Sequence, residues 1–169
     1  RDKRSGGALY WKGGNGTLNR STFIGNHANG QVTDNIGGGD GGAILWLGSN
    51  GLIDESTFIR NTAKYRGGAL FLEPNFSDYG ESAVCNNTTI QNSVFNSNEA
   101  GTNGGAIEWF KGATHGQLLD SNFIENTANR SGGAIYWSGS DATVKNVNII
   151  GNVAKGITED DRSLDPVYR

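Results

Sequence analysis

Residues 123–137 read Phe123-Ile-Glu-Asn126-Thr-Ala128-Asn-Arg-Ser-Gly132-Gly133-Ala134-Ile135-Tyr136-Trp137, and both motifs in this stretch recur along the chain. Phe-x-x-Asn stands at Phe23/Asn26, Phe58/Asn61, Phe95/Asn98 and Phe123/Asn126, and as Ile149/Asn152 with Ile for Phe. Gly-Gly-Ala starts at Gly6, Gly41, Gly67, Gly104 and Gly132. From Gly-Gly-Ala to the next aromatic (or Ile149) is 17 residues in three repeats, 19 in one and 28 in another. From the Asn to the next Gly-Gly-Ala is 6 residues in three junctions and 15 in the fourth. The unit is therefore 26 residues with extra lengths of 9, 11 and 2 placed between motifs. A period of this size marks a repeat architecture.

Positions numbered from the aromatic show what each column is for. Leu18, Ile53, Ile90, Leu118 and Val144 stand five before it; Ser21, Ser56, Ser93, Ser121 and Val147 stand two before. Ala28, Ala63, Ala100, Ala128 and Ala154 stand five after. Gly, Asn, Ser and Thr are too frequent for helix interiors, and apolar residues recur at spacing 2, as in strands. The position five before and the position two before differ in parity, so one straight strand cannot turn both inward. The residue between them (Arg20, Glu55, Asn92, Asp120 or Asn146) therefore belongs at a bend.

About three short strands and three bends in 26 residues make one turn of a parallel β-helix. The expectation is an all-β, right-handed parallel β-helix of about five turns, roughly 25 Å of stack at the usual inter-strand spacing. The hexapeptide period of left-handed β-helices is absent. Like residues then stack on like: Phe, Ala and Ile/Leu ladders inside, and an Asn ladder at one corner. Asn50 and Asn103 fall outside that ladder. The repeat domain covers 1–156, with polar insertions at 29–40 and 73–88, and an irregular tail follows at 157–169.

Bulk composition narrows the function classes. Of 169 residues, 35% are hydrophobic and 27 are Gly, but only two Pro and evenly spaced aromatics argue for order. Net charge is −3, which gives no electrostatic footprint for nucleic acid. No apolar run approaches the ~20 residues of a membrane span. One cysteine, Cys85, excludes an internal disulfide and a Cys-rich metal site. A chain that opens on Arg-Asp-Lys-Arg and enters a repeat at once reads as a processed product or a piece of something longer.

Five ordered pairs of Gly-Gly-Ala-[Ile/Leu] with Phe-x-x-Asn, over residues 6 to about 154, resemble the repeat of the polymorphic outer-membrane proteins. They also resemble the adhesin-like surface proteins of methanogenic archaea. The resemblance implies a right-handed parallel β-helix at the cell surface or outside the cell, acting in adhesion as an attachment or filament module. Its partners would be a protein or glycan on a host or neighbouring cell, or further copies meeting through the open ends of the stack.

Parallel β-helices also carry polysaccharide lyases and hydrolases, which cluster acids with Arg, Lys or His on neighbouring turns. Here the acids are scattered. Asp54 and Asp120 lie at polar corners beside Asn19, Gln91 and Asn146, Asp34 lies in an insertion and Asp160-Asp161 in the tail. His27 and His115 fall in unrelated columns. Gly37–Gly42 lacks the Lys-Ser/Thr ending of a phosphate loop, and no Asp ladder suited to calcium recurs. No catalytic residue, cofactor or metal is expected, and the chain reads as a non-enzymatic binding module.

Binding is expected on an outward stripe. If Ile and Trp of Gly-Gly-Ala-Ile-x-Trp face inward, the residues between them (Tyr10, Leu45, Phe71, Glu108 and Tyr136) face outward. Tyr10, Phe71 and Tyr136 are then the candidate ligand-binding side chains, suited to sugar stacking or a protein partner. Sequons at Asn15, Asn19, Asn75, Asn86, Asn87 and Asn129 are compatible with a glycoprotein in an exterior location.

Overall fold

The computed structural model describes residues 6–30, 38–74 and 85–156, and the regular elements within them are short strands. The first turn holds β1 (Leu9–Lys12), β2 (Thr17–Asn19), β3 (Thr22–Ile24) and β4 (His27–Ala28). The second holds β5 (Ile44–Leu47), β6 (Leu52–Asp54), β7 (Thr57–Ile59) and β8 (Thr62–Ala63). The third holds β9 (Leu70–Leu72), β10 (Thr89–Gln91), β11 (Val94–Asn96) and β12 (Glu99–Ala100). The fourth holds β13 (Ile107–Trp109), β14 (Gln117–Leu119), β15 (Asn122–Ile124) and β16 (Thr127–Ala128). The fifth holds β17 (Ile135–Trp137), β18 (Thr143–Lys145), β19 (Asn148–Ile150) and β20 (Val153–Ala154).

Each strand pairs in parallel with its equivalent one turn away, giving four five-stranded sheets. The first sheet is β1-β5-β9-β13-β17, and the others follow the same order from β2, β3 and β4. The chain is thus a parallel β-helix of five turns. The register is the one the motifs demand: Phe58 opposes Phe23 and Phe95, and Phe123 opposes Ile149.

Three strands per turn were expected and four are present. The difference lies just after the aromatic. Gly25, Arg60, Ser97, Glu125 and Gly151 all take positive φ, between 51° and 65°, and turn the chain once more. The Asn-x-Ala run that follows then forms a two-residue strand of its own. The predicted bend before the aromatic is present in all five turns: Arg20, Glu55, Asn92, Asp120 and Asn146 have φ of 46–54°. One left-handed residue resets the alternation, so Ile53 and Ser56 both point inward despite their odd spacing.

The Gly-Gly corner needs both glycines. Gly104 sits at φ 63°, and a Cβ on Gly105 would lie 2.0 Å from the carbonyl oxygen of Gly133 in the next turn. No side chain fits between backbones this close.

Inside the coil the columns stack as ladders. The rings of Phe23, Phe58, Phe95 and Phe123 lie nearly parallel with centroids 4.7–5.0 Å apart. Trp11 stacks on Trp46, and Trp109 on Trp137. In the middle turns these side chains are fully buried together with Ile44, Ile53, Leu70, Ile90, Ile107 and Leu118.

The Asn corner is a continuous hydrogen-bonded stack. Asn61 donates Nδ2–H to Asn98 Oδ1 at 2.9 Å and to the Phe23 carbonyl at 3.0 Å. Its own Oδ1 accepts the backbone N–H and side-chain amide of Asn26. Asn98 and Asn126 repeat the pattern. Every interior amide is therefore satisfied without water. A Ser ladder lines the preceding bend, with Ser56 N–H donating to Ser93 Oγ and Ser93 N–H to Ser121 Oγ.

Candidate functional site

The expected stripe exists as a column. Tyr10, Leu45, Phe71, Glu108 and Tyr136 pair in register along the outside of the first sheet. Its exposure is not as expected. Tyr10 is 37% exposed at one end and Tyr136 is half-buried at the other, but Leu45 and Phe71 are 0% exposed and Glu108 1%. Phe71 is therefore not an open ligand-binding surface, which corrects the expectation for that residue.

A second, smaller apolar cluster sits on this face. Leu45, Leu47 and Phe71 pack with Phe110, whose ring meets Phe71 edge-on at 5.8 Å. The Arg66 guanidinium lies 4.3 Å from the Phe71 centroid and 5.2 Å from that of Phe110. Asp40 fixes it there: Arg66 Nε and Nη2 donate to the two carboxylate oxygens at 3.1 and 3.0 Å, and the Arg66 backbone N–H adds a third bond. Burial alone draws the Arg66 pKa down, but the charge and hydrogen bonds of Asp40 outweigh it and the value is raised. A bidentate pair held over an aromatic ring is a structural clamp.

Glu108 is the odd member of the cluster. Its Oε2 is buried without a hydrogen-bond partner. Burial pushes its pKa up to about 8; the attraction of Arg66 opposes this, and the charges of Asp40 and Glu73 reinforce it. Arg66 is already spent on Asp40, so burial favours the protonated, neutral form of the Glu108 carboxyl.

The other expected sites are dispersed by the fold. Asp54 faces outward in the column of Asn19, Gln91, Leu119 and Lys145, whereas Asp120 is itself a corner residue one position later. They are therefore not equivalent corners. Asn92 donates to Asp54 at 2.8 Å and holds its pKa below the ordinary value; Asn146 donates to Asp120 at 2.9 Å. His27 is exposed on β4, and His115 stands at another corner, 4.0 Å from Asp141. Cys85 is buried, bonds the Gly48 carbonyl, and has its thiol pKa pushed up to about 11 by burial.

Among the sequons, Asn15, Asn19 and Asn87 are exposed and Asn86 and Asn129 half-buried. Asn75, Asp34 and Asp160-Asp161 lie outside the described residues, as do positions 31–37 and 75–84 of the insertions and the tail from 157. Asn50 lies outside the Phe-x-x-Asn ladder, as expected. It belongs to a second, exposed stack, accepting from Asn87 and donating to Asn15 at 3.2 Å each, at a corner of positive φ.

The sequence reading missed the outer face of the third sheet. The first x of Phe-x-x-Asn is Ile24, Ile59, Asn96, Ile124 and Ile150, which pair in register and point away from the Phe ladder. Ile24 is 52% exposed and Ile150 59%. The signal was legible as a repeated Ile after the aromatic, inside a motif read only for its fixed letters.

Comparison with protein families matches residues 120–136 to the Chlamydia polymorphic membrane protein repeat. The matched segment runs from the Asp120 corner through β15 and β16 to Tyr136 on β17, which joins Phe-x-x-Asn to Gly-Gly-Ala without an insertion. Comparisons with curated proteins and with solved structures returned no match.

Proposed function

We propose that the chain is a non-enzymatic, adhesin-like module displayed at a cell surface, holding a rigid repetitive face toward a protein or glycan of a host or neighbouring cell. The observation that carries this reading is the repeat match at residues 120–136 on a geometry that the chain repeats in five turns. A polymorphic membrane protein repeat suggests an outer-membrane or surface setting. A β-helix of stacked ladders supplies a stiff, repetitive face, which suits presentation to a partner.

Contact with the partner falls to Tyr10 and Tyr136, the aromatic ends of the first-sheet column, since Phe71 is enclosed. Aromatic side chains supply large contact area at low entropic cost.

The test is a Tyr10→Ser/Tyr136→Ser double variant assayed on cells and glycan arrays. Loss of binding with unchanged β-type circular dichroism supports the reading. Cleavage of an acidic polysaccharide by the purified chain, lost in an Asp54/Asp120/His115 variant, would replace it with a polysaccharide-active enzyme.

A further inference from the structure

Only one of the four sheets carries no charge on its outer side. The first sheet presents Lys12, the second Asp54 and Lys145, the fourth Glu99. The outward positions of the third are Thr, Ile, Val and Asn alone. A flat, regular, uncharged sheet face with half-exposed isoleucines is an interaction surface. Its sequence also says what it fits.

Read from first turn to last, the column Ile24, Ile59, Asn96, Ile124, Ile150 is the same in both directions, with Asn96 at the centre. The adjoining corner column is Gly25, Arg60, Ser97, Glu125, Gly151, aligned by backbone bonds such as Arg60 N–H to the Asn96 carbonyl and Ser97 N–H to that of Ile124. It is also symmetric about its centre, except that Arg60 is answered by Glu125, an opposite charge. Both side chains are exposed, and neither has an ion-pair partner among the described residues.

We propose that the outer face of the third sheet is a homophilic contact, packing on the same face of a second copy about a two-fold axis that runs along β11. Such an axis reverses the order of turns and keeps each column opposite itself. Ile59 then meets Ile124 of the second copy, Asn96 meets Asn96, and Arg60 meets Glu125. In the remaining outward column Val94 meets Val94, and Thr57 meets Asn122 as a hydrogen-bonding pair. A closed two-fold contact requires this self-complementarity, in which residue i touches j and j touches i. Asn96 acts as a register mark, since any slip of one turn sets its amide against isoleucine.

The size and the far rim set the strength. Five strands of three residues cover roughly 24 × 10 Å by standard strand dimensions, and the corners about double that area. The total buried area is on the order of 1,000 Å², the low end for specific complexes, so the contact is transient in solution. On the opposite rim Glu55 faces Asp120 of the second copy, partly neutralised by its pair with Arg20, which weakens the contact further. Many copies on one surface would act together. This contact rests on the columns alone and stands or falls separately from the tyrosine-mediated binding above.

Sedimentation across micromolar to millimolar concentrations tests it, with circular dichroism confirming that each variant is folded. The wild-type chain is expected to reach a dimer and stop. Arg60→Glu should weaken dimerisation about tenfold or more, and Arg60→Glu with Glu125→Arg should restore it. Asn96→Cys should link to itself through a short bismaleimide, whereas Lys145→Cys on the second sheet should not; native Cys85 is buried and adds no background. A chain that stays monomeric throughout overturns the proposal. So does dimerisation that ignores Arg60→Glu, failure of Asn96→Cys to link above the Lys145→Cys control, or open-ended growth, which would mean stacking through the ends of the coil.

Discussion

Along the first sheet the outward column is open at Tyr10 and closed over Leu45, Phe71 and Glu108; along the third sheet, Ile24 and Ile150 stand more than half exposed. Both columns come from the same 26-residue period, on strands of similar length and with equally well-packed inner faces. What differs is the neighbourhood. Beside the first sheet, the residues around the Gly-Gly corner and after the Trp strand bring Asp40, Arg66 and Phe110 over the column. The third sheet lies between two tight one-residue corners, and among the described residues its end isoleucines stay more than half exposed. The first-sheet column is therefore enclosed in its middle turns, whereas the third-sheet column keeps its isoleucines at the surface.

The sharpest way to break this comparison is to remove the cover. Arg66→Ala strips the clamp from Phe71 and leaves Asp40 buried without its partner, and breaking such a pair should cost about 3–5 kcal/mol in denaturant titrations. Phe71→Ala should cost about 3 kcal/mol or more, comparable with Phe95→Ala inside the Phe ladder. A loss below 1 kcal/mol at Phe71, about the value for a surface site, would show that the first-sheet face is open after all.

Corner residues sharpen the same contrast between enclosed and open stacks. Asn98→Leu removes the side-chain acceptor of the Asn61 backbone N–H, one of the two bonds of the Asn61 amide, and the donor to the Phe58 carbonyl and to Asn126 Oδ1, so it should cost about 3 kcal/mol or more. Asn50→Leu, in the exposed stack, should cost only about 1–2 kcal/mol, mostly for a branched residue at positive φ. Equal losses would remove the distinction.

Glu108 gives the covered face a pH signature. Its pKa rises from 4.5 in the open chain to about 8 in the fold. Between those values the unfolded chain has lost a proton that the folded chain keeps, so this group's contribution to stability is full below pH 4.5 and lost as pH rises through about 8. Glu108→Gln should flatten that part of the stability–pH curve. An unchanged slope would mean that the carboxyl is solvated and the face open.

The smallest effect belongs to the third sheet. Ile59→Thr should change monomer stability by less than about 0.5 kcal/mol, because the side chain lies half-buried on an outer face. Its effect should appear in self-association instead.

Much of the fold was legible because a solenoid writes its register into the chain: motif spacing put Phe on Phe and Asn on Asn, and broken parity located the bends at Arg20, Glu55, Asn92, Asp120 and Asn146. The fourth strand was not legible, since two residues such as Thr127–Ala128 carry no periodicity and only the backbone angle at Glu125 separates them from β15. The candidate site was read only in part. Outward direction at Phe71 follows from alternation, but its burial depends on Arg66 and Phe110, whose columns (Asp40, Arg66, Asn103, Ser131 and Glu73, Phe110, Ser138) repeat no residue type, so their placement over Phe71 is a tertiary matter. A buried Glu108 among apolar neighbours is equally invisible to period alone.

Carbene footprinting with peptide-level mass spectrometry on the folded monomer tests the central contrast most directly, because it labels whatever side chains solvent reaches. Heavy labelling at Ile24, Ile59, Ile124 and Ile150, with protection of Leu45 and Phe71 until Arg66 is replaced, is the predicted pattern. Labelling of Leu45 and Phe71 in the wild-type chain at the level of Ile24 would contradict the account.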